Sequence, residues 1–550
     1  MSGATVPEVL ADRAREPDRP AIRQTDGTSL TFGAWHSRAT GFAGRLRASG
    51  IGTGDRVGLL FGEDEWTDYA VAFCGVLIAG ATAVPLSTRL PDGVRNDLLA
   101  RCGARTLVHG RTAVEFAGGT TTEAADGPTS EPAVVSPEDP AQVLFTSGTD
   151  GHPKGVVATH ANLTHGYAPR RRLPGRPRYF AHAFPIGANA GQTMLLNALT
   201  AEAVALVAPS PDVDELCAAV ERHRASSLFL VPATAIELVN SAAWSRYDLT
   251  SLALVGSTGA ALPPAVALEL ARALPDATLV NYYSSTEASP GHVAMAFDPS
   301  RPTALGTGDV RVVGEEVWLR APVSPRTSLH EDGAAAPVDG WIRTGDLGRI
   351  DDDGYLHLID RESDLVKSGG YRVSTLAVEA ALHEHPGVLD AAVLGLPHPR
   401  SGTVLAAAVV TAAPDVVHGL RVFLAERLSP AEVPTRLLRV DRLPRNTSGK
   451  VVKRDLVGLF AVEAALPLTS PVERTLGLLW SGLLGLREVH ADDDFLALGG
   501  DSLLTLRLAK LCSAEFDVDL SAAALFATPV LAAQARLILD RVPPEDARWR

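Results

Sequence analysis

The chain is poor in cysteine, with four in 550 residues, and Cys74, Cys102, Cys217 and Cys512 stand far apart. None is spaced for a disulfide framework or a metal site, which excludes a cystine-stapled secreted domain and predicts four core thiols in a reducing compartment. Also missing is any uninterrupted apolar run near the roughly 18 residues that a membrane span needs, and the start, MSGATVPEVLADRAREPDRP, lacks a basic segment followed by an apolar core. The expected location is the cytoplasm, with no membrane partner. Basic residues are not in excess either: Lys and Arg are scattered along most of the chain and the formal net charge is −14, which argues against nucleic acid or an anionic surface as a partner. A small molecule or a protein is expected instead. The Walker pattern is missing too, because Pro153 precedes Lys154 and Gly155 follows it, where that loop needs a glycine before the lysine and a hydroxyl residue after it.

What replaces the Walker loop is the most informative stretch of the chain. Phe145 to Gly155 reads FTSGTDGHPKG: Val143, Leu144 and Phe145 read as the end of a buried strand, after which Thr146, Ser147 and Thr149 offer hydroxyls beside unobstructed backbone amides at Gly148. Lys154 adds a point charge. The stretch is suited to hold a polyphosphate. Four further motifs follow: NYYSSTE at Asn281 to Glu287, GWIRTGD at Gly340 to Asp346, DRESDLVKSGGYR at Asp360 to Arg372, and LPRNTSGK at Leu443 to Lys450.

Together these strings resemble the acyl-adenylate-forming superfamily of acyl-CoA synthetases and nonribosomal-peptide-synthetase adenylation domains, over nearly the whole chain. Length predicts about three or four domains, and apolar strands alternate with helices. Val57 to Phe61, Trp66 to Ile78, Thr82 to Pro85, Ala205 to Ala208, Val213 to Arg224, Ser227 to Val231, Ser251 to Val255, Pro264 to Leu274 and Thr278 to Asn281 predict an α/β fold with parallel, helix-covered sheets. Gly118 to Pro140 has no periodicity and reads as a surface connection. The resemblance implies a large N-terminal adenylation domain at residues 1–361 and a small α+β lid at 362–462, with a hinge around Ile359 to Lys367.

The C-terminal stretch is a different object, expected as an all-α four-helix carrier domain at residues 471–542. Ser470, Pro471 and Glu473 form a capping-box start. Asp492 to Leu504 then reads DDDFLALGGDSLL, which resembles the attachment site of acyl or peptidyl carrier proteins, whose serine carries 4′-phosphopantetheine. Gly499 and Gly500 allow a tight approach, Asp501 caps, and Ser502 opens a helix to about Cys512, where a phosphate diester is favoured.

By the same resemblance, Thr146, Ser147, Gly148, Thr149 and Lys154 hold the ATP phosphates, Glu287 ligates Mg²⁺ beside Thr286, and Asp346 accepts hydrogen bonds from the ribose. Tyr283 offers a face to adenine, packed from the other side near Ser257 to Ala260. Arg361 reaches the ribose or phosphates, and Lys450 stabilises the substrate carboxylate. Attack of a carboxylate on the α-phosphorus brings anions together, so catalysis should consist of positioning and cation placement. A thiol on Ser502 then receives the acyl group. A phosphopantetheinyl transferase is an implied partner, and since the sequence after Arg550 leaves no room for a condensation, thioesterase or reductase segment, other enzymes of natural-product biosynthesis are expected to act next.

Asp150, Asp360, Ser363, Ser374 and Ala377 depart from the family pattern; Asp150 places an anion near the triphosphate, and the others bear on the hinge. Aligning PIGANAGQ at Pro185 to Gln192 with the family's pocket motif puts Asn189 where amino-acid-activating relatives carry aspartate. An amide cannot neutralise an ammonium, so an aryl or hydroxy acid is expected over an α-amino acid, with Val255, Ser257, Tyr282 and Pro290 lining the pocket and Ala188 enlarging it. Two other readings stay open, a coenzyme A ligase with a carrier-like interaction module and a degenerate scaffold, the latter disfavoured by retention of Glu287, Asp346 and Lys450.

Overall fold

The alternation of short apolar strands and helices closes into two large sheets, the first mostly parallel and the second mixed, in the computed structural model. It describes residues 3–110, 113–116, 121–123, 133–146, 153–168, 178–306, 308–329, 337–368, 370–398, 402–461, 467–486, 489–491, 493–496, 498, 500–543, 546 and 548–549. Two units form: Met1–Ile359 with Asn446–Lys450, and Asp360–Arg445 with Val451–Arg550.

In the first unit, one eight-stranded sheet runs Val293–Ala296, Thr278–Tyr283, Leu254–Thr258, Ser227–Leu230, Tyr179–His182, Val204–Val207, Pro20–Gln24 and Ser29–Thr31. The second places Pro140–Thr146 between Lys154–Thr159 and Thr82–Ser87. The helix Trp66–Ile78, as read from the sequence, is buried along its length. An apolar surface all round leaves a helix no face for water, so it sits in the core; there Trp35 Nε1 donates to Ala70 O at 2.9 Å. A five-stranded sheet that includes Trp341–Ile350 and Leu356–Arg361 completes this unit up to the boundary at Ile359. Cys74, Cys102, Cys217 and Cys512 are all free and buried.

Two expectations are corrected here. Ser251 to Val255 was expected as a strand, but the strand is Leu254–Thr258; Leu249 and Leu252 are buried from a turn in which Leu252 N donates to Leu249 O, so their apolar character marks a buried turn. Within Gly118 to Pro140, Thr121–Glu123 pairs as an edge strand with Ala113–Phe116. Paired β-branched threonines suit an edge.

The lid half of the second unit is a sheet of Val388–His398, Gly402–Thr411 and Arg436–Arg439 with helices Thr375–His383, Val416–Ala425 and Lys453–Ala461. Asp360, one of the departures, has a structural reason. Its Oδ2 accepts from Thr375 N at 2.5 Å and Thr375 Oγ1 at 2.9 Å, and its Oδ1 from Arg361 N at 2.8 Å. Ser374 caps the same helix by accepting from Ala377 N. Lys453 Nζ donates to Thr375 Oγ1 at 2.7 Å and pairs with Glu379 at 3.1 Å; burial pushes the Glu379 carboxyl up, opposed by that lysine. Asp360→Ala is expected to destabilise the second unit by about 2 kcal/mol through loss of these buried charge-assisted bonds. Urea unfolding checks this, and an unshifted midpoint would remove Asp360 from the helix start.

Among the described residues, four helices, Pro471–Leu484, Ser502–Phe516, Ala522–Ala527 and Leu531–Leu539, form the C-terminal half. The capping box of Ser470 and Glu473 is present, with proline in the first turn. Trp480 packs edge-on against Phe495 at 5.0 Å and donates to Gln534 Oε1 at 3.2 Å.

Candidate functional site

Open parallel sheets bind ligands beyond the carboxyl ends of their strands. Four neighbouring parallel strands, Tyr179–His182, Ser227–Leu230, Leu254–Thr258 and Thr278–Tyr283, end on one edge, and Asn189, Ser257, Tyr282, Tyr283, Thr286, Glu287 and Pro290 lie at or after those ends. Asn189 is the first residue of the helix Asn189–Thr200, whose N-cap Ala188 supplies no side-chain cap. Ser257 pairs with Asn281, and Thr258 with Tyr282. Ser257 Oγ and Asn281 Oδ1 are buried without a partner among the described residues.

Gly256 was not singled out in the sequence, and it sets the spacing here. A Cβ at Gly256 would lie 2.6 Å from Phe229 Cδ1 and 3.0 Å from Tyr282 Cε2, so only glycine lets these rings, 6.1 Å apart at their centroids, approach. Because side chains alternate along a strand, Val255 and Ser257 face away from the Gly256 side, which holds Tyr282. The expected pocket set thus divides across two faces, with Val255 in the apolar core beside Leu228 and Leu279. Tyr282 also meets the ring of His292 at 5.8 Å, and Pro290 O lies 3.1 Å from His292 Nδ1.

The strands on either side of the stretch expected to hold polyphosphate pair with each other. Thr146 ends one strand, Lys154 begins the next, and the two are register partners, so this loop joins two strands and does not start a helix as a Walker loop does. A Cβ at Gly155 would lie 3.0 Å from Leu329 Cβ, which ties the lysine strand closely to the neighbouring segment. Ser147, Gly148, Thr149 and the departure Asp150 lie outside the described residues.

Tyr283 and Asp346 are brought together. The phenol donates to Asp346 Oδ2 at 2.7 Å, Asp346 N donates to Thr344 Oγ1 at 3.1 Å, and Gly345 between them has φ +72°. Glu287 and Thr286 follow on the same segment, partly buried. Among the described residues no group of three or more His, Cys, Asp and Glu could hold a metal. A single carboxylate still suits Mg²⁺, which takes one or two carboxylates and completes its shell with water and substrate phosphates. Close by, Arg326 N donates to Glu287 O at 3.3 Å, and Arg326 Nη1 donates to Asn189 Oδ1 at 3.3 Å. No motif contained Arg326, and only its lone charge in SPRTS signalled it.

Lys450 is exposed on a tight turn organised by Asn446, whose Oδ1 accepts from Ser448 N and Lys450 N at 3.0 Å each, with Gly449 at φ +81°. Asn446 went unremarked in the sequence although such turns favour asparagine. A Cβ at Gly449 would lie 3.1 Å from Val231 Cγ2, just past the end of Ser227–Leu230, and Asn446–Lys450 group with the first unit. Arg361 groups with the second unit, at the end of its strand.

In the second unit, Ser502 is the first residue of a fifteen-residue helix and is exposed. Asp501 caps it, with Oδ1 accepting from Leu504 N at 2.7 Å. A Cβ at Gly500 would stand 2.4 Å from Phe495 Cδ1, so glycine is required for the turn to close on that ring. An accessible hydroxyl at a helix N-terminus suits a phosphodiester. Leu503 and Leu506 beside it are exposed. Across from them, Arg421 of the lid helix Val416–Ala425, itself buried, donates to Asp494 Oδ2 and Thr435 O at 2.7 Å each. A cleft of about 340 Å³ lies alongside, lined by Val422, Ser502, Thr505 and Phe526. Arg421 gave no signal in the sequence, since its partner lies 73 residues away.

Among the described residues no helix is long and apolar enough to cross a membrane. Three family matches cover the chain: AMP-binding enzyme at residues 10–317, AMP-binding enzyme C-terminal domain at 377–450, and phosphopantetheine attachment site at 474–538. A feruloyl-CoA synthase of Amycolatopsis sp is 32% identical over 81% of this chain and 96% of its own. An isonitrile lipopeptide synthase of Streptomyces coeruleorubidus is 30% identical over 96% of this chain, which spans 39% of that protein. The A-PCP structure of McyG complexed with phenylalanyl-adenylate shares the fold, with a TM-score of 0.74 at 17% identity over 98% of both chains. The α/β edge that gathers Tyr283, Asp346 and Glu287, followed by a capped and exposed Ser502, therefore has one consistent account: the chain belongs to the AMP-binding enzyme family, as an AMP-forming ligase that uses ATP and is fused to a phosphopantetheine-bearing carrier domain.

Proposed function

We propose that this ligase activates a small aryl or hydroxy acid as its adenylate and loads it on its own carrier domain. The observation that carries the reading is Ser502, exposed at the start of a capped helix in the same unit as the lid. Functionally the chain divides at 1–361, 362–462 and 471–542.

In this reading Thr146, Ser147, Gly148, Thr149 and Lys154 hold the β- and γ-phosphates, and Glu287 takes Mg²⁺ beside Thr286. Asp346, held in place by Tyr283, accepts from the ribose hydroxyls, while the Tyr283 ring flanks adenine and Arg361 reaches ribose or phosphate. Lys450 stands beside the acid's carboxylate, where a fixed cation offsets charge that builds as the acyl–phosphate bond forms and pyrophosphate leaves. When attached, the phosphopantetheine arm supplies the thiol that accepts the acyl group. Ser502 is its point of attachment, and Asp501 and Gly500 keep that hydroxyl at the surface. A phosphopantetheinyl transferase and downstream enzymes complete the set of partners.

For the acid, Asn189 supports a substrate without an α-ammonium, and Tyr282, Ser257 and Pro290 stand near the same edge, with Val255 behind them in the core. The feruloyl-CoA synthase is named for an aromatic acyl group; its likeness also favours the second reading, a ligase that uses free coenzyme A with the helical domain as an interaction module. Pyrophosphate exchange across a panel of acids tests the substrate class: aryl or hydroxy acids are expected to exceed proteinogenic α-amino acids at least about tenfold. Dominance of one α-amino acid would overturn it and turn attention to Glu63, a carboxylate whose Oε2 accepts from Ile186 N at 3.0 Å and whose pKa burial raises. Intact mass after incubation with transferase, ATP and acid separates carrier loading from release as a coenzyme A thioester.

A further inference from the structure

Arg326 is a buried cation with one unanswered donor. The residue is 6% exposed, and among the described residues its Nε has no partner. Its Nη1 reaches Asn189 Oδ1 at 3.3 Å. A guanidinium only donates hydrogen bonds, so the Asn189 atom turned to it is the carbonyl oxygen, and the NH₂ must point elsewhere. Burial lowers the Arg326 pKa to about 10, with Glu287 opposing that shift, and the group stays charged at neutral pH. A desolvated cation without a carboxylate on its fork is costly unless a ligand answers it. The helix that begins at Asn189 adds the positive end of its dipole to the same place, with no side chain capping it.

We infer that Arg326 is a specificity-determining residue of the acyl pocket: it locks Asn189 with its NH₂ as the presented donor and makes the surroundings electropositive, which selects acids bearing a hydrogen-bond-accepting or anionic substituent beside the carboxylate. A hydroxyl or oxo group ortho or α to the carboxylate fits this pattern. An α-ammonium is rejected twice, by the donor amide and by the charge behind it. The inference rests on the reading that Asn189 lines the acyl pocket.

The experiment measures pyrophosphate exchange by the full chain with two probe acids, 2-hydroxybenzoate and benzoate, and reads the ratio of their kcat/KM values. For Arg326→Met the ratio is expected to fall by about 10- to 100-fold, carried by the hydroxylated acid, while benzoate changes by less than about threefold. Asn189→Ala should lower the ratio to a similar extent, and the double variant should fall no further than either single one, because both act through one donor. Equal losses on both acids in Arg326→Met would overturn the inference and leave Arg326 a structural role. A ratio unmoved by Asn189→Ala would instead overturn the pocket reading beneath it. Should Arg326→Met not fold, Arg326→Lys keeps the charge but not the planar fork. An intermediate ratio supports the inference, and an unchanged ratio refutes the locking of Asn189.

Discussion

Lys450→Ala is expected to lower acyl-adenylate formation by about 10²- to 10³-fold, the usual loss when a preorganised charge is removed from a developing anion. Transfer from a chemically prepared adenylate should fall far less. The asymmetry follows from the turn that carries the lysine. Asn446 and Gly449 fix the backbone around Lys450, so truncating the side chain removes a charge and leaves the turn intact. The acid's carboxylate and the α-phosphate need that charge while they approach each other; the finished adenylate no longer does. Pyrophosphate exchange reads the first step, and single-turnover transfer reads the second. Wild-type exchange in Lys450→Ala would take the lysine out of the mechanism, and equal losses in both steps would make its role structural.

Ser502→Ala should leave pyrophosphate exchange within about twofold of wild type and abolish covalent loading altogether. The serine lies in the second unit, and Thr146 to Lys154, expected to hold the β- and γ-phosphates, lie in the first. Its hydroxyl makes no capping bond, since Asp501 performs that task, so alanine at the first helical position keeps the helix; alanine is the strongest helix former. Mass spectrometry of the protein treated with transferase, ATP and acid reads the outcome. Undiminished loading on Ser502→Ala, or full activity towards free coenzyme A with no modified form detectable, would favour the coenzyme A ligase reading.

How much of this was legible beforehand depended on how local the physics was. The helix Trp66–Ile78, the capping box at Ser470 and Glu473 and the cap at Asp501 are settled within a few turns of chain, and sequence pattern alone found them. Ser251 to Val255 misled because a buried turn and a strand end share the same apolar residues, and only the backbone partner, Ser226 O accepting from Ala253 N, separates them. At the site, the pairing of Tyr283 with Asp346 joined two motifs that had been read apart. The alternation that divides Val255 and Ser257 from Tyr282 could have been read from strand period had the strand been placed correctly. Arg326 and Arg421 stayed hidden for another reason. Each acts on a partner 73 or more residues away, and a lone arginine in a loop or on a helix face looks the same whether it meets water or an amide.

The bond between Arg421 and Asp494 reaches further than the contact itself. One guanidinium serves the lid carbonyl of Thr435 and the carboxylate of the helical domain at once, and removing the carboxylate would leave the buried Arg421 charge without it, a change that costs several kcal/mol in comparable pairs. Anyone exchanging modules is therefore constrained. A carrier grafted from another assembly has to bring an acidic residue to the position of Asp494, or the lid has to give up Arg421 in the same step, and a fusion point chosen in the segment before Ser470 carries that requirement with it unseen.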